Sequence, residues 1–218
     1  MKEERISEII EILKKDLKKY QTPIVTQISR RKDPFKVLIS CVLSLRTKDE
    51  TTRKASEKLF RLADNPKKMS KLKVNQIEKA IYPVGFYKVK SRNIKEICKT
   101  LINQYNRKVP DDFNELLKLK GVGKKTASIT IVYGHNKPDY IPVDIHVHII
   151  SNRLGWVKTK NPDQTMDGLM RFIPRRYWYD LNNLLVIFGQ NICVTASPLC
   201  SKCPINNLCP RIGVTKSR

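Results

Sequence analysis

The chain has 218 residues, 43 of them Lys or Arg and 20 Asp or Glu, for a formal net charge of +23. That length holds one large domain or two small ones around a sizeable core, with no need of covalent staples. Like charge in such excess opposes compaction; on charge alone the readings are a nucleic-acid partner, an acidic membrane surface, or the solvated Lys-rich surface of a heat-adapted protein.

Residues 1–10 carry acids early and lack an apolar segment, so they do not read as a signal peptide, and no apolar run approaches a membrane span. The expected place is the cytoplasm, in association with the nucleoid, where disulfides are rare. Along the chain, helical periodicity dominates. Ile6, Ile9, Ile10, Leu13 and Leu17 fall three and four apart among Lys and Glu, which makes one apolar stripe. Pro34 is placed to open a helix through Val37, Leu38, Val42 and Leu43. Asp49 is expected to cap a helix over 52–62. Further helices are expected over 76–81, 113–119, 125–133, 147–154 and 180–188, and Ile94, Ile97, Cys98, Leu101, Ile102 and Tyr105 repeat the stripe. No alternating run reads as a strand. The fold class is therefore all-α, roughly ten short helices with brief connections. No linker, repeat or low-complexity tract marks a boundary, and the basic residues 211–218 are expected to fray.

Cys193, Cys200, Cys203 and Cys209 are spaced C-x6-C-x2-C-x5-C. Four thiolates so close can converge on one metal centre. Zinc ribbons usually bring two C-x2-C pairs, and only one is present, so iron–sulfur ligation is favoured while zinc stays open. Cys41 and Cys98 fall on apolar helix faces and read as core.

Residues 119–127 read Leu-Lys-Gly-Val-Gly-Lys-Lys-Thr-Ala. Two glycines one residue apart allow a tight turn with outward amides, and a helix start just after would complete an anion site. The turn is too short, and follows a helix rather than a strand, for a nucleotide-binding glycine motif. On this motif alone Lys125 is equally a phosphate contact or a nucleophile. Residues 141–147, Ile-Pro-Val-Asp-Ile-His-Val, place Asp144 just ahead of an apolar helical pattern, as an N-cap.

Taken in order, these motifs resemble the endonuclease III family of helix-hairpin-helix DNA glycosylases and abasic-site lyases, over roughly residues 34–210. The resemblance implies two helical lobes: a six-helix lobe over 26–138 with the helix-hairpin-helix, and a cluster lobe joining 1–25 to 139–218, with a DNA-binding cleft between. It implies a [4Fe–4S] cluster on Cys193, Cys200, Cys203 and Cys209. It makes Lys125 the nucleophile, since the positive end of a helix and the neighbouring Lys124 both disfavour an ammonium there. Asp144 becomes the anion that stabilises positive charge on the sugar, a role compatible with capping. Gly121, Val122, Gly123 and Lys124 become the DNA grip. His146 matches a family histidine, although a packed structural histidine is the default; Ile145 stands where relatives often carry threonine. In residues 43–49, Leu-Ser-Leu-Arg-Thr-Lys-Asp, Arg46 replaces the glutamine that relatives use to fill the gap left by a flipped base. Phe86 matches the family's apolar wedge, with core packing as the other reading.

The implied function is removal of oxidised or saturated pyrimidines from double-stranded DNA, with nicking 3′ of the abasic site by β-elimination, by a monomer. Two other readings stay open. One is a mismatch glycosylase acting on uracil or thymine opposite guanine, or on adenine opposite a lesion. The other is a non-catalytic iron–sulfur protein that binds DNA or senses redox state.

Overall fold

A computed structural model describes residues 3–21, 27 and 33–218. Among these the chain is helical and contains no strand. In chain order the helices are α1 (Glu3–Asp16), α2 (Pro34–Ser44), α3 (Asp49–Leu62), α4 (Pro66–Lys71), α5 (Val74–Ile81), α6 (Tyr87–Gln104), α7 (Phe113–Leu117), α8 (Lys124–Ile129), α9 (Ile145–Arg153), α10 (Pro162–Met170) and α11 (Trp178–Asn191). A π-turn, Thr130–Gly134, continues α8. No helix among the described residues is long and apolar enough to cross a membrane.

The chain forms two compact units: Met1–Pro23 with Pro138–Arg218, and Ile24–Lys137. In the first, α1 buries Ile6, Ile9, Ile10 and Leu13, the stripe that the sequence spacing sets out. Acids in its first turn and lysines in its last suit the helix dipole. α1 and α9 pack on α11, which is buried around most of its circumference and forms the axis of the unit. The buried Asn182 of α11 donates from Nδ2 to the Pro142 carbonyl at 2.9 Å, holding the extended stretch that leads into α9. In the second unit the axis is α2. Asp33 caps it, accepting from Lys36 N at 3.1 Å, and Pro34 opens it. Phe35 and every residue from Val37 to Leu43 are buried, and α3, α6, α8 and the π-turn surround them.

Three expectations are corrected. Asp49 is not the cap of α3 but its first residue; Lys48 holds the extended cap position with no side-chain cap bond, and the acid serves the dipole from inside the first turn. Residues 211–218 are tied to the rest of their unit near both ends: Ile212 N donates to Arg153 O (3.1 Å), Arg218 N to Pro198 O (2.9 Å), and Ser201 N to Arg218 O (3.0 Å), so the tail is docked where fraying was expected. Helices α4 and α10, absent from the periodicity reading, each begin with an Asn cap followed by Pro, Asn65 accepting from Lys68 N and Asn161 from Gln164 N.

Replacing the fully buried Leu38 of α2 by alanine should cost about 2–5 kcal/mol in denaturant unfolding. A cost under about 1 kcal/mol would show that α2 is not the axis of its unit.

Candidate active site and DNA interface

In the Ile24–Lys137 unit, Asp112 caps α7, accepting from Asn114 N and Glu115 N, and the chain then turns back through Leu119 and Gly121. Gly121 has φ +76°, where a side chain is disfavoured, and an added Cβ would lie 2.4 Å from Asn93 Nδ2. Val122 closes the turn with N–H to Leu119 O at 3.1 Å, and its side chain is buried. Val122 thus builds the turn and spends its amide inside it, rather than presenting that amide outward. Gly123 is the extended cap of α8 and carries no side chain over the helix start. Lys124 and Lys125 are the first two residues of α8, both half-buried, and the next four residues are buried core. Lys125 is therefore fixed at its backbone by core packing, with Ser128 Oγ donating to its carbonyl at 3.0 Å.

Arg46 and Phe86 also belong to this unit. Both are exposed, Phe86 to 60%, so the core-packing reading of Phe86 does not hold. Each has positive φ, 53° and 57°, which costs a residue with a side chain about 1–2 kcal/mol. The Arg46 guanidinium lies over the Phe86 ring, 5.5 Å from its centroid. Val89 is exposed beside them. Beneath them is Lys90, which the sequence reading did not single out. It is 6% exposed, and burial pushes its pKa down to about 8. A signal was present: Lys90 falls four residues before Ile94, on the apolar stripe of α6.

In the other unit Asp144 caps α9, its Oδ1 accepting from Val147 N at 2.9 Å. His146 lies flat against α11, so that a Cβ on Gly189 would fall 2.5 Å from its Nδ1. That placement suits a packing role.

Cys193, Cys200, Cys203 and Cys209 line one cavity, whose remaining walls are mostly apolar, including Leu154, Phe188, Ile192 and Ile205. No disulfide joins them. No three His, Cys, Asp or Glu side chains among the described residues are close enough to share a single metal ion. Burial raises the pKa of the Cys193, Cys203 and Cys209 thiols, that of Cys203 to about 11. Arg153, the last residue of α9 and 9% exposed, points its head into this loop. It donates to the carbonyls of Cys193, Val194 and Thr195 and, at 3.3 Å, to Cys193 Sγ, which opposes the rise at that thiol. Cys41 and Cys98 are buried elsewhere, in the core.

The sequence profile of the HhH-GPD superfamily of base excision DNA repair proteins matches residues 39–175. Endonuclease III of Thermotoga maritima is 47% identical over 177 residues, 81% of this chain and 83% of that protein. Endonuclease III of Escherichia coli is 34% identical over 176 residues, with the same two coverages. Among solved structures, a trapped endonuclease III–DNA covalent intermediate superposes with a TM-score of 0.85 at 31% identity, covering 97% of each chain. A thermostable thymine-DNA glycosylase superposes at 0.83, but at 24% identity it speaks for the fold alone. The chain belongs to the HhH-GPD superfamily of base excision DNA repair proteins. Within it the chain stands with the endonuclease III enzymes, as a DNA glycosylase and abasic-site lyase.

The two hairpin glycines should separate under substitution. Gly121→Ala should destabilise the protein by about 1–2 kcal/mol in thermal unfolding, through its φ and the Asn93 clash. Gly123→Ala, which meets nothing within 4 Å, should unfold within about 0.5 kcal/mol of the parent. Its DNA affinity, read by fluorescence anisotropy, should nevertheless fall if the DNA backbone approaches there.

Proposed function

We propose that this enzyme removes oxidised or saturated pyrimidines from duplex DNA and then nicks the strand on the 3′ side of the abasic site. The observation that carries this reading is Lys125, held at the second position of α8 directly behind the Gly121–Gly123 turn. The Lys125 amine attacks C1′ of the sugar, the N-glycosidic bond breaks, and the base leaves with the bonding pair. Loss of the amine proton and ring opening give a Schiff base. Removal of a C2′ proton then expels the 3′ phosphate. The Asp144 carboxylate stabilises positive charge on the sugar as the glycosidic bond breaks. Gly123, Lys124 and the first amides of α8 take a DNA phosphate, Val122 supporting the turn from within, and the net charge of +23 gives binding a steep salt dependence.

Arg46 and Phe86 are assigned to the gap left by the flipped nucleotide, a role their exposure and paired placement support. Arg46 also favours a second reading, uracil or thymine opposite guanine. A guanidinium presents five donors to an orphaned base, where the family's glutamine presents two.

A [4Fe–4S] cluster is assigned to Cys193, Cys200, Cys203 and Cys209. A lone zinc ion would draw four sulfurs to about 2.3 Å from one point. Here no three of the four are close enough to share one ion, while all four border one largely apolar cavity. Cys193, Cys200, Cys203 and Cys209 would hold the cluster and so tie residues 193–209 into one loop.

On a panel of duplexes carrying thymine glycol, dihydrouracil or a guanine mismatch with uracil or thymine, base release should be fastest for the damaged pyrimidines; fastest release at the mismatches would move the function to the second reading. Lys125→Gln should lose strand nicking and at least about 100-fold in base release. Asp144→Asn should slow base release by a similar factor while leaving DNA affinity within about threefold. Cys203→Ser should abolish the visible absorbance of the purified protein and lower its Tm. An unchanged spectrum would remove Cys203 from the ligand set.

A further inference from the structure

We propose that Lys90 is a positioning residue, locking residues 45–47 and 84–86 into one platform from which Arg46 and Phe86 enter the duplex as a pair. The proposal rests on the reading of Arg46 and Phe86 as the residues that fill the gap. Lys90 Nζ has three protons and three acceptors: Leu43 O at 2.8 Å, Leu45 O, and Thr47 Oγ1 at 3.2 Å. The two carbonyls lie at the C-terminal end of α2, where backbone oxygens lack intrahelical donors and a cation is favoured. Lys90 thus ends α2 and fixes where the chain leaves it, one residue before Arg46.

Thr47 carries the lock to the second loop. Its hydroxyl donates to Leu45 O at 3.2 Å and accepts from Lys90 Nζ and from Gly85 N at 3.2 Å, which uses its one proton and both lone pairs. Gly85 in turn packs so close to Arg46 that an added Cβ would lie 2.6 Å from the Arg46 carbonyl oxygen. The residues on either side of these contacts, Arg46 and Phe86, both have positive φ, as do four other non-glycine residues among those described, and their side chains stack. Such backbone conformations persist where the surroundings over-determine them. A pair already ordered in the free protein loses less freedom on entering DNA.

Two simpler roles for Lys90 do not fit. With 6% exposure and all three protons engaged inside the protein, it does not reach a phosphate and is not a nucleophile. As filler it would be a poor choice, since a buried ammonium is unfavourable unless its partners are in place.

The test compares wild type, Lys90→Met, Thr47→Val and the double variant Arg46→Ala/Phe86→Ala, with and without Lys90→Met added. Two quantities are read in single-turnover experiments. One is the ratio of abasic-strand cleavage in duplex to that in single-stranded DNA, which isolates the need to open a helix. The other is the fluorescence of 2-aminopurine placed opposite a tetrahydrofuran abasic analogue in a duplex, which reports the estranged base. Lys90→Met and the near-isosteric Thr47→Val should each lower the ratio by about 10- to 100-fold, the scale of a misplacement near 1 Å, and reduce the fluorescence gain. In the double-variant background Lys90→Met should change neither quantity beyond about twofold, because it acts through the residues already removed. Lys90→Met and Thr47→Val both within about twofold of wild type, beside a deficient double variant, would overturn the lock and leave the wedge standing. Additive losses would overturn it as well. A double variant that matches wild type in both quantities would remove the wedge reading, and the proposal with it.

Discussion

A loop that carries chemistry exposes backbone carbonyls which apolar packing cannot satisfy, and this constraint is met in one way at two loops, residues 45–47 and 193–195. In each unit the answer is a buried cation that gathers the oxygens. Lys90 collects Leu43 O and Leu45 O beneath Arg46 and Phe86. Arg153 collects the carbonyls of Cys193, Val194 and Thr195 beside the four-cysteine cavity. A third cation, the half-buried Lys95, does the same for Ser70 O and Leu72 O at the end of α4. A strongly basic chain has cations to spare, and here some of them hold up structure. Single removal would leave several acceptors without donors, so these sites should tolerate substitution far less than the lysines on the surface.

The catalytic elements are held differently, by helix starts. Lys125 and Asp144 both stand at the N-terminal end of a helix whose following residues are buried: Thr126 to Ile129 in one case, Val147 and Ile150 in the other. Core packing thus fixes the backbone of each while its side chain stays near the surface. The turn that delivers Lys125 depends on one conformational choice, the positive φ of Gly121, together with the Val122 amide that closes it.

Much of this could be read from the residues. The stripe from Ile6 to Leu17, the Pro34 helix start, the Gly121–Gly123 turn and the Asp144 cap each depend on local geometry, which sequence spacing encodes directly. The four cysteines line one cavity, but no three come close enough to share one ion, so their convergence on a single centre rests on their spacing. What escaped was of two kinds. Helices α4 and α10 are short and weakly periodic, and only their Asn-Pro starts announce them. Lys90, Thr47 and Arg153 escaped because their roles depend on partners far away in the chain; Arg153, for example, meets carbonyls 40 to 42 residues on. The tail was misjudged for the same reason: its charge is local information, but the pairing of residue 218 with 198 and 201 is not.

The central claim is that one amine, at the second position of α8, forms the covalent link to DNA. Borohydride reduction of the wild-type protein on a thymine-glycol duplex, followed by digestion and mass spectrometry of the cross-linked peptide, tests it most directly. The account predicts a single adduct on Lys125. An adduct on Lys124, Lys120 or the chain's amino terminus would contradict it, as would base release with no adduct at all.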